Sequence, residues 1–278
     1  MEAINGVNNI YQKDTPKTVG YNDKRGLVST PEMLYGLFGG KDKGVNGKID
    51  EGVFQGNIGD CWLLSGILSL SYTEEGSKLI KDAISKNPDG SYNVYFQGAD
   101  KTYTISQDEL DSANKSSFLS GAGITKSEYS TGDDDMLLIE LAMEKLIEEN
   151  EVPIETGDGL TGGSAYYLYQ LFTNDVVGYA NGDDSDEIKS LLNYYEMYQE
   201  SSAATIGVLD GFSGLEDDHA YAIKSYENGI MTIVNPWDST EDIKIKEKDL
   251  LNNIGDYDIS IADSDLEEDM TWEEEYYA

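Results

Sequence analysis

The chain has 278 residues, with 54 Asp and Glu against 19 Lys and Arg, a formal net charge of −35, one cysteine and one histidine. That length is ample for a sizeable core in one large domain or two lobes. The charge argues against a surface built for nucleic-acid phosphates or anionic membranes and leaves basic partners or cations; one cysteine excludes an intramolecular disulfide framework and any multi-cysteine metal site, and no run approaches transmembrane length.

The N-terminus, Met1-Glu2-Ala3-Ile4-Asn5-Gly6, lacks a basic region followed by an apolar one. The expectation is therefore a cytoplasmic protein, one exported without a standard signal peptide, or a mature or excised fragment. Residues 1–50 are polar and read as an N-terminal extension. Thr30 and Pro31 open a predicted short helix through Phe38, Thr30 as N-cap and Pro31 in the first turn. Asp42 to Asp50 partly imitates a calcium-binding EF-hand loop, with Gly47 at the sixth place and Ile49 at the eighth. Gly44 and Val53 stand where the third and twelfth places need oxygen ligands, so the stretch reads as a turn.

The rest of the chain is organised around Gln55-Gly56-Asn57-Ile58-Gly59-Asp60-Cys61-Trp62-Leu63-Leu64. Cys61 sits where a Gly-rich turn becomes an apolar run spaced for a buried helix, and Asp60 is the predicted N-cap. A thiol at a helix N-terminus meets unpaired N–H groups and the positive end of the macrodipole, both of which favour thiolate. Gln55, six residues upstream, is a candidate to hold the oxyanion of an acyl transfer.

A helix is predicted over Glu74–Ser85, ended by Asn87-Pro88-Asp89-Gly90. Tyr92–Phe96 and Lys101–Ile105 alternate and read as a hairpin. Residues 107–132 read as loop, with a short helical piece at 107–113. Asp133–Glu149 is the clearest amphipathic helix, acidic in its first turn and apolar along Leu138, Ile139, Ala142, Met143, Leu146 and Ile147. A Gly-rich turn carrying Gly162 and Gly163 precedes a predicted helix at Ala165–Phe172, and another helix is expected over Asp186–Gln199. Strands come next at 203–209, 219–226, 230–235, 241–245 and 257–261. The Asn228-Gly229 pair is a hairpin signal that brings His219 toward Asn235, whose carbonyl suits one imidazole nitrogen while the other faces the sulfur. Trp237 is placed to cover that bond. The tail from Asp263 to Ala278 holds eight carboxylates and no Lys or Arg, and reads as a solvated acidic segment or a docking point for a basic partner.

Gln-Gly-x-x-Gly-Asp-Cys-Trp at Gln55–Trp62, the Gly162-Gly163 pair after a helix, His219-Ala220-Tyr221 and Asn235-Pro236-Trp237 together resemble the protease core of the calpain family of cysteine proteases, over roughly residues 50 to 240. The resemblance implies an α+β, papain-like fold: a helical lobe (51–200) carrying the nucleophile, a β-rich lobe (201–262) carrying His219 and Asn235, and the active-site cleft between them. It implies Cys61 as nucleophile, His219 as general base, Asn235 as its orienter and Gln55 in the oxyanion hole. A family glycine near Gly162 and Gly163 lines the substrate cleft. Asp218 departs from the family, which usually has glycine there. Its carboxylate is expected to favour the imidazolium and to draw basic residues toward the scissile bond. No cofactor is required, and no metal ligand is located by motif. Calcium as an activator is an expectation from the family alone. The partner is a protein or peptide substrate. The alternatives are a transglutaminase-like acyl transferase and an inactive acidic binding protein on a protease fold.

Overall fold

The computed structural model describes residues 45–49, 52–115, 128–150, 154, 156–173, 176–182, 184–212, 214–252 and 256–263. The helix expected at 30–38, residues 116–127 and the acidic tail from 264 onward lie outside the described residues.

Helix α1 (Cys61–Ser71) is buried from Cys61 through Leu70. Its apolar residues run all round, and a helix of that kind belongs in a core. Helix α2 (Glu74–Ala83) is surface-facing and is capped by Thr73, whose side chain accepts from Gly76 N–H. It ends two residues earlier than the sequence predicts, because Ile84–Lys86 leave it as strand β1 and pair with β2 (Tyr92–Phe96). A single 3-10 turn (Gln97–Ala99) joins β2 to β3 (Lys101–Ile105), closing a small antiparallel sheet in the order β1-β2-β3. Helix α3 (Gln107–Lys115) comes next. Helix α4 (Asp134–Glu149) is capped by Asp133, which accepts from the N–H groups of Asp135 and Met136. Helix α5 (Ala165–Phe172) spans its predicted bounds, with Ser164 as its cap.

Strand β4 (Val176–Asn181) has no counterpart among the predicted elements. Its Val-Val-Gly-Tyr-Ala-Asn sequence lacks a clean alternation, and among the described residues it pairs with β9 (Asp256–Asp263), far along the chain. Helix α6 (Ser185–Tyr198) precedes β5 (Ala203–Asp210), β6 (His219–Glu227), β7 (Ile230–Asn235), β8 (Asp238–Lys246) and the short α7 (Glu247–Leu251). The large sheet is antiparallel, in the order β4-β9-β5-β6-β7-β8. The fold is therefore α+β. The sheet draws β4, from residues 176–181, out of the stretch the sequence reading assigned to the helical half, and α6 packs against it.

Two cores meet at this sheet. Ala203, Ala220, Ala222 and Ala262 join the core that contains α1, α4 and α5. Tyr221, Ile223, Ile206, Ile259 and Ile261 join a second core with Ile188, Leu191 and Leu192 of α6. Alternation along β6 thus presents small side chains to α1 and large ones to α6. The alanines let α1 lie close enough for Ser65 Oγ to donate to the Ala220 carbonyl at 2.9 Å. This contact sets the Cys61 end of α1 beside the His219 end of β6.

Candidate active site

The base side is built by the hairpin β6–β7. Asn228 and Gly229 have φ of 51° and 72°, the pair of positive values that a type I′ turn requires. The turn fixes the register Glu227↔Ile230 and carries it, through one irregularity, to Ala222↔Val234. His219 Nε2 then lies 2.8 Å from Asn235 Oδ1. The tautomer is set by a second bond: Trp237 N–H donates to the same Asn235 atom at 2.9 Å. An N–H only donates, so that atom is the oxygen, and His219 Nε2 must carry a hydrogen to bond it. Nδ1 is left as the basic nitrogen. The imidazole is held between Trp237, with ring centroids 4.4 Å apart, and the edge of Tyr221 at 4.9 Å. Burial raises the Tyr221 hydroxyl, against the smaller opposing pull of the Glu216 N–H that donates to it, and the Glu216 and Asp217 carboxylates add to the rise, so the phenol stays neutral beside the site.

The nucleophile side is held by contacts far apart in sequence. Gln55 N–H donates to the Pro236 carbonyl at 2.9 Å, tying the segment before α1 to the Asn235-Pro236-Trp237 turn. Trp62 Nε1 donates to the Leu160 carbonyl at 2.9 Å. Gly162 N–H donates to the Gly59 carbonyl at 2.9 Å. Gly162 has φ of 66°, in the left-handed region where glycine is at no disadvantage. At Gly163 a Cβ would come within 2.6 Å of the Trp62 indole. The direction left open by this glycine is therefore filled by the protein's own tryptophan, and packing alone calls for glycine here.

Asp60 holds the N-cap position, and its backbone carbonyl accepts from Leu63 and Leu64 N–H, but its side chain makes no cap bond. The carboxylate turns inward and accepts from Gln55 Nε2 at 3.0 Å. Gln55 Nε2 also donates to the Ile58 carbonyl at 2.9 Å. Both hydrogens of that amide are thus engaged within its own segment. Asp218 has φ of 52°, a left-handed backbone carried by a residue that is not glycine. The conformation expected of the family's glycine is kept, at some steric cost.

Cys61 and His219 are each 2 % exposed, so the site is closed as it stands. A cavity of about 290 Å³ lies elsewhere, lined by Glu109, Glu128, Tyr129, Glu144 and Lys145 among others. The EF-hand-like stretch is put to a different use: Asn46 and Gly47 N–H donate to the buried Asp135 carboxylate at 2.9 and 3.1 Å, docking the loop onto the first turn of α4. Among the described residues no group of three or more His, Cys, Asp or Glu is arranged to hold a metal ion. No helix among them is long and apolar enough to cross a membrane.

A family model described as calpain family cysteine protease matches residues 44–243. The chain belongs to the calpain family of cysteine proteases. No curated protein matches it. The calpain-family span takes in Gln55, Cys61, Gly162, Gly163, His219, Asn235 and Trp237. It ends within β8, so β9, which sits between β4 and β5, lies beyond it while still completing the sheet.

The sequence reading missed three contributors. Ser65 reads as an ordinary small residue in an apolar helix. Tyr221 reads as one of the alternating residues of its strand. Glu140 had a legible signal: Met136–Ile139 and Leu141–Met143 flank it with apolar residues on both sides, which leaves no solvated face for a charge.

Proposed function

We propose that this calpain-family chain is a papain-like, two-lobed cysteine endopeptidase, with Cys61 as nucleophile and His219 as its base. The observation that carries the reading is the His219 Nε2–Asn235 Oδ1 bond, oriented by Trp237 N–H, at the strand end that Ser65 ties to the start of α1. In this scheme His219 Nδ1 takes the Cys61 proton, and the thiolate attacks the substrate carbonyl carbon to form a tetrahedral oxyanion. The imidazolium then protonates the leaving amine, and the neutral imidazole activates the water that releases the acyl group. Cys61 N–H and Gln55 Nε2 are the oxyanion donors. Gln55 must share or exchange its Ile58 bond to serve, and removing one such donor costs about 2.7–4 kcal/mol of barrier.

The helical lobe bears Cys61 and the β-rich lobe bears His219 and Asn235, with the cleft between them. Because Cys61 and His219 are covered, substrate entry needs the lobes or an overlying segment to part. Calcium is a proposed trigger, read by activity in chelator and then in added calcium. Gly162, Trp237 and Asp218 are the proposed lining, with Gly163 packed behind them against Trp62 and basic side chains favoured near Asp218.

The test is labelling of Cys61 by a peptide-based thiol-directed inactivator, with a glutamine peptide and a labelled amine run in parallel. Labelling with peptide hydrolysis and no amine incorporation is the expected result. Amine incorporation in place of hydrolysis makes the chain an acyl transferase. No labelling with or without calcium makes it an inactive binding protein.

A further inference from the structure

The costliest side chains of this region lie behind the site. Asp60 and Glu140 are both 0 % exposed. One comes from the residue before α1 and the other from the middle of α4. Gln55, which holds Asp60, follows Phe54, whose backbone pairs with Thr131, and Ser130, which holds Glu140, precedes Thr131, so both carboxyls belong to one buried cluster. Two carboxylates in such a cluster repel unless a proton neutralises one of them. The donors seen on the pair among the described residues, Ser130 and Gln55, are uncharged. Ser130 N–H reaches Glu140 Oε1 and Oε2 at 3.2 and 3.0 Å, and Ser130 Oγ reaches Oε2 at 2.5 Å. Gln55 Nε2 reaches Asp60 Oδ1 at 3.0 Å. Neutral donors satisfy lone pairs but do not balance two buried negative charges. Burial and then the Asp60 charge push the Glu140 carboxyl well above the usual carboxylate range, against the smaller opposing pull of Ser130. The titratable groups around the pair are Cys61, next to Asp60 in the chain, and Tyr129, which Glu144 holds at 2.8 Å and on which Glu128 also acts.

The row of buried polar groups runs Ser130–Glu140–Asp60–Gln55. It ends on the amide assigned above to the oxyanion, and it explains why Asp60 gives up the helix cap. A pair with one negative charge also places less like charge beside the Cys61 thiolate than a doubly ionised pair.

We propose that Asp60 and Glu140 hold a single proton between them at neutral pH and act as positioning residues, the Asp60 half fixing the Gln55 amide beside the thiol. The proton half stands without the protease reading; the positioning half rests on it.

The test uses infrared difference spectroscopy on the full chain carrying Cys61→Ala, which prevents self-cleavage. At neutral pH the parent is expected to show the carbonyl band of a protonated carboxyl, Glu140→Gln is expected to lose it, and Asp60→Asn is expected to shift its frequency as the partner changes. Absence of the band from the parent overturns the shared proton. A band that persists in Asp60→Asn at the parental frequency does the same, since Asp60 then has no part in holding the proton. Should a variant fail to fold, carboxyl-carbon isotope labelling of all Glu, and then of all Asp, in the parent must shift the band each time; a band that ignores either label overturns the sharing.

The positioning half is read on the Cys61 form. Glu140→Gln, whose amide still donates to Asp60, retains most of kcat. Glu140→Leu loses kcat about 10²-fold, the scale expected for a misplaced catalytic group. KM and the rate of Cys61 alkylation by a small neutral reagent stay within about threefold, because alkylation needs no oxyanion donor. Parental kcat in Glu140→Leu, or an equal loss of alkylation, overturns the positioning role. If the wild type cleaves no peptide, the functional reading falls while the band still decides the proton.

Discussion

The two sides of the site are held in opposite ways. His219 and Asn235 are 16 residues apart, on neighbouring strands of one hairpin. The Cys61 side is fastened by bonds to Leu160, Gly162, Pro236 and Ala220, none of them local. The base side therefore depends on a turn and a register, which short-range chemistry supplies. The nucleophile side depends on the whole core being assembled. A substitution in the hairpin should act on chemistry, and one around α1 should act first on stability.

His219→Ala tests the base side and carries the largest effect. It is expected to lower kcat by about 10²–10⁴ and leave the melting temperature little changed. A variant that keeps parental turnover would remove His219 from the mechanism. Gly163→Ala tests the other side. The added carbon meets the Trp62 ring, so it is expected to destabilise by about 1–3 kcal/mol, read by denaturant unfolding. Unchanged stability with a raised KM would instead make the glycine a cleft residue in its own right. Asp218→Gly is the smallest perturbation. Removing a left-handed non-glycine residue is expected to stabilise by about 1 kcal/mol. It is also expected to weaken a preference for basic side chains in a peptide library. A library preference that is absent in both forms would sink the specificity reading.

This asymmetry also explains what was legible in the sequence. Asn228-Gly229, the alternation from His219 and the Asn235-Pro236-Trp237 segment are local signals, and the elements they predict appear with bounds shifted by about a residue. Helix α5 and the hairpin β2–β3 were legible for the same reason. Strand β4 was not, because its partner is β9 at the far end of the described chain. Asp60 shows the limit at the site itself. Local chemistry makes an Asp before a helix a cap, but the Asp60 side chain makes no cap bond and accepts from Gln55 Nε2 in the buried cluster instead. Gly163 shows it again, since nothing near it in sequence announces Trp62 as its neighbour.

The central claim is that the sulfur at the head of α1 attacks peptide bonds. The most direct measurement is mass spectrometry of a peptide mixture incubated with the wild type and with Cys61→Ala, each shown by circular dichroism to be folded. The account predicts defined cleavage products from the wild type and none from Cys61→Ala. The same products at the same rate from both proteins would contradict it.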